Sequence, residues 1–259
     1  MEKKITVADI YWFIDSFAPF DTQESWDNSG LLVGEHDAEV HKIGVALEVT
    51  PEVLNSAAKQ GVDLIVTHHP VIFHPVKSVL RGSVLWEAIR LGLNIICCHT
   101  PLDKAEGGVN DTLAQMLDFQ QLGRDNSGFL RTGVFDGIPA RELAERVRVK
   151  LHADALRCCG LSRRIDRAAV CSGAGASLLA DAKALGCDAL ITGDAGHHDF
   201  LDAEEMGITL IAAGHYETET IVAPVLRDKI LEAFPALDVA VLAERNPLAV
   251  VGGGDSHGA

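Results

Sequence analysis

The chain has no apolar run long enough to span a bilayer: stretches such as 208–213 fall far short of the roughly 20 residues a membrane helix needs. Its opening, Met1-Glu-Lys-Lys-Ile-Thr, lacks the apolar core of a secretory signal. It also lacks a lysine- and arginine-rich stripe. With 22 basic against 37 acidic residues the formal charge is −15, which argues against an electrostatic grip on nucleic acid or an anionic membrane. No Cys-x-x-Cys spacing occurs among Cys97, Cys98, Cys158, Cys159, Cys171 and Cys187, so the six read as buried thiols behaving as small hydrophobes. No Walker-type phosphate loop is present, and Gly107-Gly108 and Gly173-Ala-Gly175 are weak phosphate signals on their own. These absences predict a cytoplasmic protein that engages neither membrane nor nucleic acid.

What remains is an ordinary globular composition, 47% apolar and 23% charged over 259 residues, enough for one large α/β domain or two joined lobes. The pattern centres on Leu64-Ile-Val-Thr-His-His-Pro-Val-Ile-Phe73, an apolar strand that ends in two histidines. Open α/β sheets place their chemistry past the carboxyl ends of such strands. Adjacent side chains on an extended segment diverge, so His68 and His69 more easily serve two metal ions than chelate one. A loop pair bonded to backbone is the alternative.

Along the chain, Thr6 caps a helix that ends before Pro19, and Asp27-Asn-Ser-Gly30 reads as a turn beside Trp26, which suits either the core or a ligand. A strand at 43–47 precedes a helix opened by Thr50-Pro51 and stopped by Gly61; the histidine strand follows at 63–67. A helix over 83–91, a strand over 93–98 and a helix reaching Leu117 complete the first half, and 118–128 is turn-rich and polar. A strand over 129–135 and an amphipathic helix over 140–151 lead into the second half.

That half repeats the first. At an offset of 125, Val45 meets Val170, Leu54 meets Leu179, Gly61 meets Gly186, Asp63 meets Asp188 and Thr67 meets Thr192. The next strand agrees as well: 209–213 matches 94–98 and leads to His215, where the first half leads to His99. Two α/β lobes are therefore expected, 1–125 and 126–251, built from related βαβ units with their strand ends converging on one cleft. A helix over 223–234 and a strand over 237–242 close the fold, and a glycine-rich tail over 252–259, with His257, is expected to be loose.

The strand ends offer His68 and His69; His99 with Asp103; His215 with Glu219; and Asp194, His197 and His198. Mixed imidazole and carboxylate suit zinc, iron, manganese or nickel, and the absence of thiolates disfavours a closed structural zinc site. Two ions sharing a carboxylate fit this ligand count and could activate a water. Each residue has a plainer reading. His99 could hydrogen-bond a ligand, Asp103 cap a turn, Glu219 sit solvated in a first helical turn, and His198 shuttle protons or lie exposed.

In order along the chain, Trp26-Asp-Asn-Ser-Gly-Leu-Leu-Val-Gly34, Thr67-His-His-Pro70, His99-Thr-Pro-Leu-Asp103, Gly107-Gly-Val-Asn-Asp111, Ile191-Thr-Gly-Asp194 and Gly214-His-Tyr-Glu-Thr-Glu219 resemble the Nif-three-like, YbgI-type dinuclear metal family. Proteins of that family often carry the label GTP cyclohydrolase I type 2 homologue. The resemblance covers almost the whole chain and implies two intertwined α/β repeats, two divalent metals in a cleft and a toroidal homohexamer. It further implies that His68 and Asp103 bind one metal and His69 and His215 the other, with Glu219 bridging; apart from the resemblance, His99 and His198 are read as the candidate catalytic groups. Ser29, Glu48, Pro101, Glu106 and His197 depart from the family pattern, and none of them is a proposed ligand. The leading expectation is a metal-dependent hydrolase of a small, nucleotide-like substrate. A non-catalytic metal-binding or metal-delivery scaffold, or a regulatory interaction protein, is the alternative.

Overall fold

The structure, a computed structural model, describes residues 4–251; the tail expected from 252 onward lies outside the described residues. The first half runs α1 (Val7–Phe17), β1 (Gly30–Val33), β2 (Lys42–Ala46), α2 (Pro51–Gln60), β3 (Leu64–Thr67), α3 (Val84–Arg90), β4 (Asn94–Cys97), α4 (Thr100–Lys104) and α5 (Val109–Met116). The second runs β5 (Gln120–Arg124), β6 (Arg131–Pro139), α6 (Ala140–Lys150), β7 (Arg157–Cys159), β8 (Arg164–Cys171), α7 (Leu179–Ala184), β9 (Ala189–Thr192), α8 (His197–Met206), β10 (Thr209–Ala212), α9 (His215–Glu219), α10 (Val222–Ala233) and β11 (Asp238–Val241). Local chemistry sets the boundaries. Thr6 and Asp9 form a reciprocal capping box at α1, Thr50 caps α2 with Pro51 behind it, and Gly61 ends α2 in the left-handed region at φ 67°.

Two sheets result, ordered β1-β4-β3-β2-β11 and β5-β6-β8-β9-β10-β7. The repeat is visible in them. In each, three parallel strands (β2, β3, β4 and β8, β9, β10) are flanked by a short antiparallel strand, β1 or β7, on the last of the three. The fifth position is filled differently, by β11 parallel to β2 in one sheet and by β6 antiparallel to β8 in the other.

The halves are intertwined through their helices. From the second half, α10 packs Val222, Leu226 and Ile230 with Ile10 and Ile14 of α1 and Val45, Leu64 and Val66 of the first sheet. From the first half, α5 packs Leu113 together with Leu143 and Val147 of α6 and Val170, Ile191 and Ile211 of the second sheet. The opposite faces are covered by α2 and α3 on one sheet and by α7 and α8 on the other. Central strands buried on both faces explain the continuous apolar runs in the sequence. Among the described residues no helix is long and apolar enough to cross a membrane. All six cysteines are free; Cys97, Cys98, Cys171 and Cys187 are buried, and Cys158 and Cys159 are half-buried.

Four elements differ from the sequence reading. The stretch expected to be turn-rich holds β5, an exposed edge strand with no fully buried residue to mark it. The short edge strands β1 and β7 carry too few residues for an alternating pattern, and α8 buries fully only Ala203, so its apolar period is faint. Ahead of β9 lie a 3-10 turn, Gly175–Leu178, and α7.

Candidate metal centre

Register brings the chemistry to one place. In the first sheet Ala46, Thr67 and Cys97 lie level; in the second, Cys171, Thr192 and Ala212 do. The residues just beyond these positions line a common cleft of about 690 Å³ that includes His69, His99, Asp103, His215 and Glu219. His68 is fully buried next to the lining residue His69.

Past Thr67 the backbone has left the strand, so the rings of His68 and His69 do not alternate across the sheet. They lie 5.1 Å apart, inclined by 39°. Their nitrogens nevertheless address different atoms. His68 Nδ1 is 3.0 Å from the Cys98 carbonyl oxygen, and since a carbonyl only accepts, Nδ1 carries a proton and the ring's other nitrogen, Nε2, is turned towards the carboxylates. That Nε2 has no hydrogen-bond partner among the described residues, although it is buried 3.5 Å from Asp103 Oδ1 and 3.8 Å from Glu219 Oε1. His69 Nε2 instead lies 2.8 Å from Glu219 Oε2, which is also 3.0 Å from His215 Nε2.

Two buried carboxylates meet these imidazoles. Burial pushes the Asp103 carboxyl up to about 7, against the pull of His68 and helped by repulsion from Glu219. Burial would raise Glu219 too, but the imidazoles of His215, His68 and His69 outweigh it and hold the carboxyl well below the usual glutamate range. Glu219, helped by Asp194 at 2.7 Å from Nδ1, raises His215 to about 9 against its burial.

A further ring of residues fixes these groups. His99 Nδ1 is 2.8 Å from Asp27 Oδ1; Thr100 donates its backbone N–H and its hydroxyl to Asp27 Oδ2, at 3.1 and 2.5 Å. Asp27 is buried, which would raise its carboxyl, yet its bonds with His99 and Thr100 keep it well below the ordinary aspartate range. Asn110 donates to the Asp103 carbonyl at 3.2 Å and accepts the Ser172 N–H at 2.7 Å, tying α4 to the end of β8. Gly173 sits at φ +57°, and a Cβ there would stand 2.1 Å from Glu219 Oε1. Glycine at this position is therefore explained by the approach of a carboxylate, and not by phosphate binding.

The residues present fit a metal. Three ligand groups lie within reach of one another: His68, His69 and His99; His69, His215 and Glu219; and His68, Asp103 and Glu219. A buried imidazole nitrogen without a partner, facing two carboxylates, is the environment a divalent cation relieves.

The sequence profile of Duf34/NIF3 (NGG1p interacting factor 3) matches residues 5–247. This chain belongs to the Duf34/NIF3 family. The resemblance carried by the six motifs is thus borne out. Within the family the chain is 34% identical over 250 residues to the GTP cyclohydrolase 1 type 2 of Helicobacter pylori, covering 95% of this chain and 99% of that one. It is 32% identical over 229 residues to a GTP cyclohydrolase 1 type 2 homolog of Clostridium acetobutylicum, covering 83% and 85%. The crystal structure of Staphylococcus aureus hypothetical protein SA1388 superposes with a TM-score of 0.91 at 27% identity, over 96% of this chain and 100% of that one.

For this Duf34/NIF3 chain, then, the structure gathers His68, His69, His99, Asp103, His215 and Glu219, and leaves His198 apart. His198 lies exposed in the first turn of α8, outside the residues that line the cleft, as does His197. Asp27, part of a turn by its sequence, and Asn110, a bridge between α4 and the end of β8, are functional residues that the sequence does not mark. The Asp-Asn-Ser-Gly stretch gave no sign that its aspartate reaches a histidine 72 residues away.

Proposed function

We propose that this Duf34/NIF3 protein binds two divalent metal ions in the cleft and is a hydrolase of a small, nucleotide-like molecule. The observation that carries the reading is the division of Glu219. Its Oε1 faces the unpartnered Nε2 of His68 beside Asp103, while its Oε2 faces His69 and His215. On this reading His68 and Asp103 hold one ion, His69 and His215 the other, and Glu219 bridges. When bound, the ions would act as Lewis acids that polarise the scissile group and lower the pKa of water. The chain's own part begins at His99. Asp27 Oδ1, 2.8 Å from Nδ1, orients the ring, and one ring nitrogen of His99 lies within 4.8 Å of ring nitrogens of His68 and His69; in the tautomer that donates from Nδ1 to Asp27, the neutral ring offers Nε2 as a proton acceptor. The names borne by the Helicobacter and Clostridium relatives favour a purine nucleotide or a related ring as the first substrate class to examine. The homohexamer implied by the family resemblance belongs to the same proposal, and light scattering would check it as six times 27.7 kDa.

Elemental analysis of purified protein tests the site. Two divalent ions per chain are expected, with the content falling in His68→Ala and in Glu219→Ala; unchanged stoichiometry in both variants would refute the assignment. The hydrolase is tested by incubating metal-loaded protein with GTP, phosphoesters and cyclic amides. Metal-dependent turnover that disappears in Glu219→Gln is expected. Full metal loading without turnover on any of them would leave the scaffold reading in its place.

A further inference from the structure

The cleft has walls that metal chemistry does not account for. On one side stand Trp26 and Phe73, their ring centres 6.0 Å apart and inclined by 38°, and both rings meet His99 edge-on at 5.8 and 6.2 Å. Phe129 and Leu178 also line the cleft. Trp26 is 54% exposed and Phe73 41% exposed, so two large apolar faces lie open beside the candidate proton acceptor instead of filling the core. Isolated exposed apolar side chains are common, but an aromatic pair facing a concave site beside polar groups has the form of a stacking platform. Ser177, exposed and lining the same cleft, carries a hydroxyl that can meet the edge of a heterocycle.

Charge narrows the ligand further. The cleft lining includes Glu24, Asp103 and Glu219 but no lysine or arginine. In the lining, His215 is held between Glu219 and Asp194, and the lysine and arginine beside the lining residues are engaged as well. Lys104 binds Glu24 and the Thr22 carbonyl with its ammonium 4.8 Å from the centre of the Phe129 ring, and Arg131 is buried against Asp111. Sites that grip polyphosphates use arginine, lysine or backbone N–H cradles to balance the charge, and a pair of divalent ions here would already be partly neutralised by Asp103 and Glu219.

We infer that the Trp26–Phe73 wall is a specificity element that stacks a planar heteroaromatic ring of low negative charge, and that a nucleoside is preferred over its triphosphate. This inference rests on the small-molecule reading of the cleft; it does not depend on turnover. The test is calorimetric titration of metal-loaded protein with guanosine, adenosine and uridine and with their 5′-triphosphates, repeated on Trp26→Ala and Phe73→Ala, with the metal content of every sample measured alongside. At least one nucleoside is expected to bind more tightly than its triphosphate, and each alanine variant to bind it about tenfold more weakly at unchanged metal content. A triphosphate that binds ten times more tightly than its nucleoside would overturn the inference. So would alanine variants that bind normally, or an absence of nucleoside binding in fully metal-loaded protein. Failure of the metal reading appears separately, as missing metal in samples whose ring binding is read directly by calorimetry.

Discussion

Arg131 gives the sharpest prediction about stability. Its side chain is among the largest fully buried ones, with 1% of the residue exposed, and its guanidinium donates to Asp111, to the Gly128 carbonyl at 2.6 Å and to the Lys104 and Ala105 carbonyls at 3.1 and 3.2 Å. Asp111→Ala removes the counter-charge and leaves a buried cation, which costs about 3–5 kcal/mol. For a chain near this size, that is a fall of roughly 10 °C in Tm. Urea denaturation at pH 7 would read it. Burial works to raise the Asp111 carboxyl, but Arg131 and the Gly107 N–H outweigh it and lower its pKa, so the sign of the pH effect follows. A carboxyl lowered on folding stabilises fully above its unfolded value of about 3.9, and that stabilisation is lost as pH falls through the folded value. The gap between wild type and variant is therefore constant from pH 6 to 8 and narrows in stronger acid. A gap below about 1 kcal/mol at pH 7, or one that widens as pH falls below 4, would show that the pair is not what balances Arg131. Because the same guanidinium holds the carbonyls that follow Asp103, metal content should fall in this variant as well.

Two other substitutions probe the supports of the site. Gly173→Ala puts a Cβ 2.1 Å from Glu219 Oε1 at a left-handed backbone position, and a folded protein with reduced metal content is expected by circular dichroism and elemental analysis; full loading would show that Glu219 can retreat without loss. Asp27→Asn weakens bonds from His99 and Thr100 at a buried position, and a loss of roughly 1.5–3 kcal/mol in denaturant unfolding is expected, a loss within error being the refuting result.

The ligand set was legible because it recurs. His99 and His215 end matching strands and begin matching short helices, and Asp103 and Glu219 each lie four residues further on. A repeat turns isolated histidines into a pattern. The supports were hidden because they are not local. Asp27 finds His99 only when β1 lies antiparallel to β4, and β1 has four residues, of which the one fully buried is Gly30. Gly173 looks like any loop glycine until α9 brings Glu219 against it. Asn110 sits in a helix whose sequence says nothing of the Ser172 N–H it accepts from the other sheet. Propensity and periodicity report burial along one element, and these contacts are properties of two or three elements meeting. The position of His198 shows the converse: adjacency in sequence to a strand end does not place a side chain in the cleft.

The placement of β11 governs how the chain must come together during synthesis. Until the last segment emerges from the ribosome, β2 offers a bare edge, and the Leu47 N–H lacks the Glu244 carboxylate that closes over it from 197 residues away. An uncovered parallel edge held open for that long invites pairing with neighbouring nascent chains. A chain cut after residue 235 would therefore hold every strand of the second sheet but lack β11 in the first, leaving the β2 edge open to proteolysis and to chaperone capture.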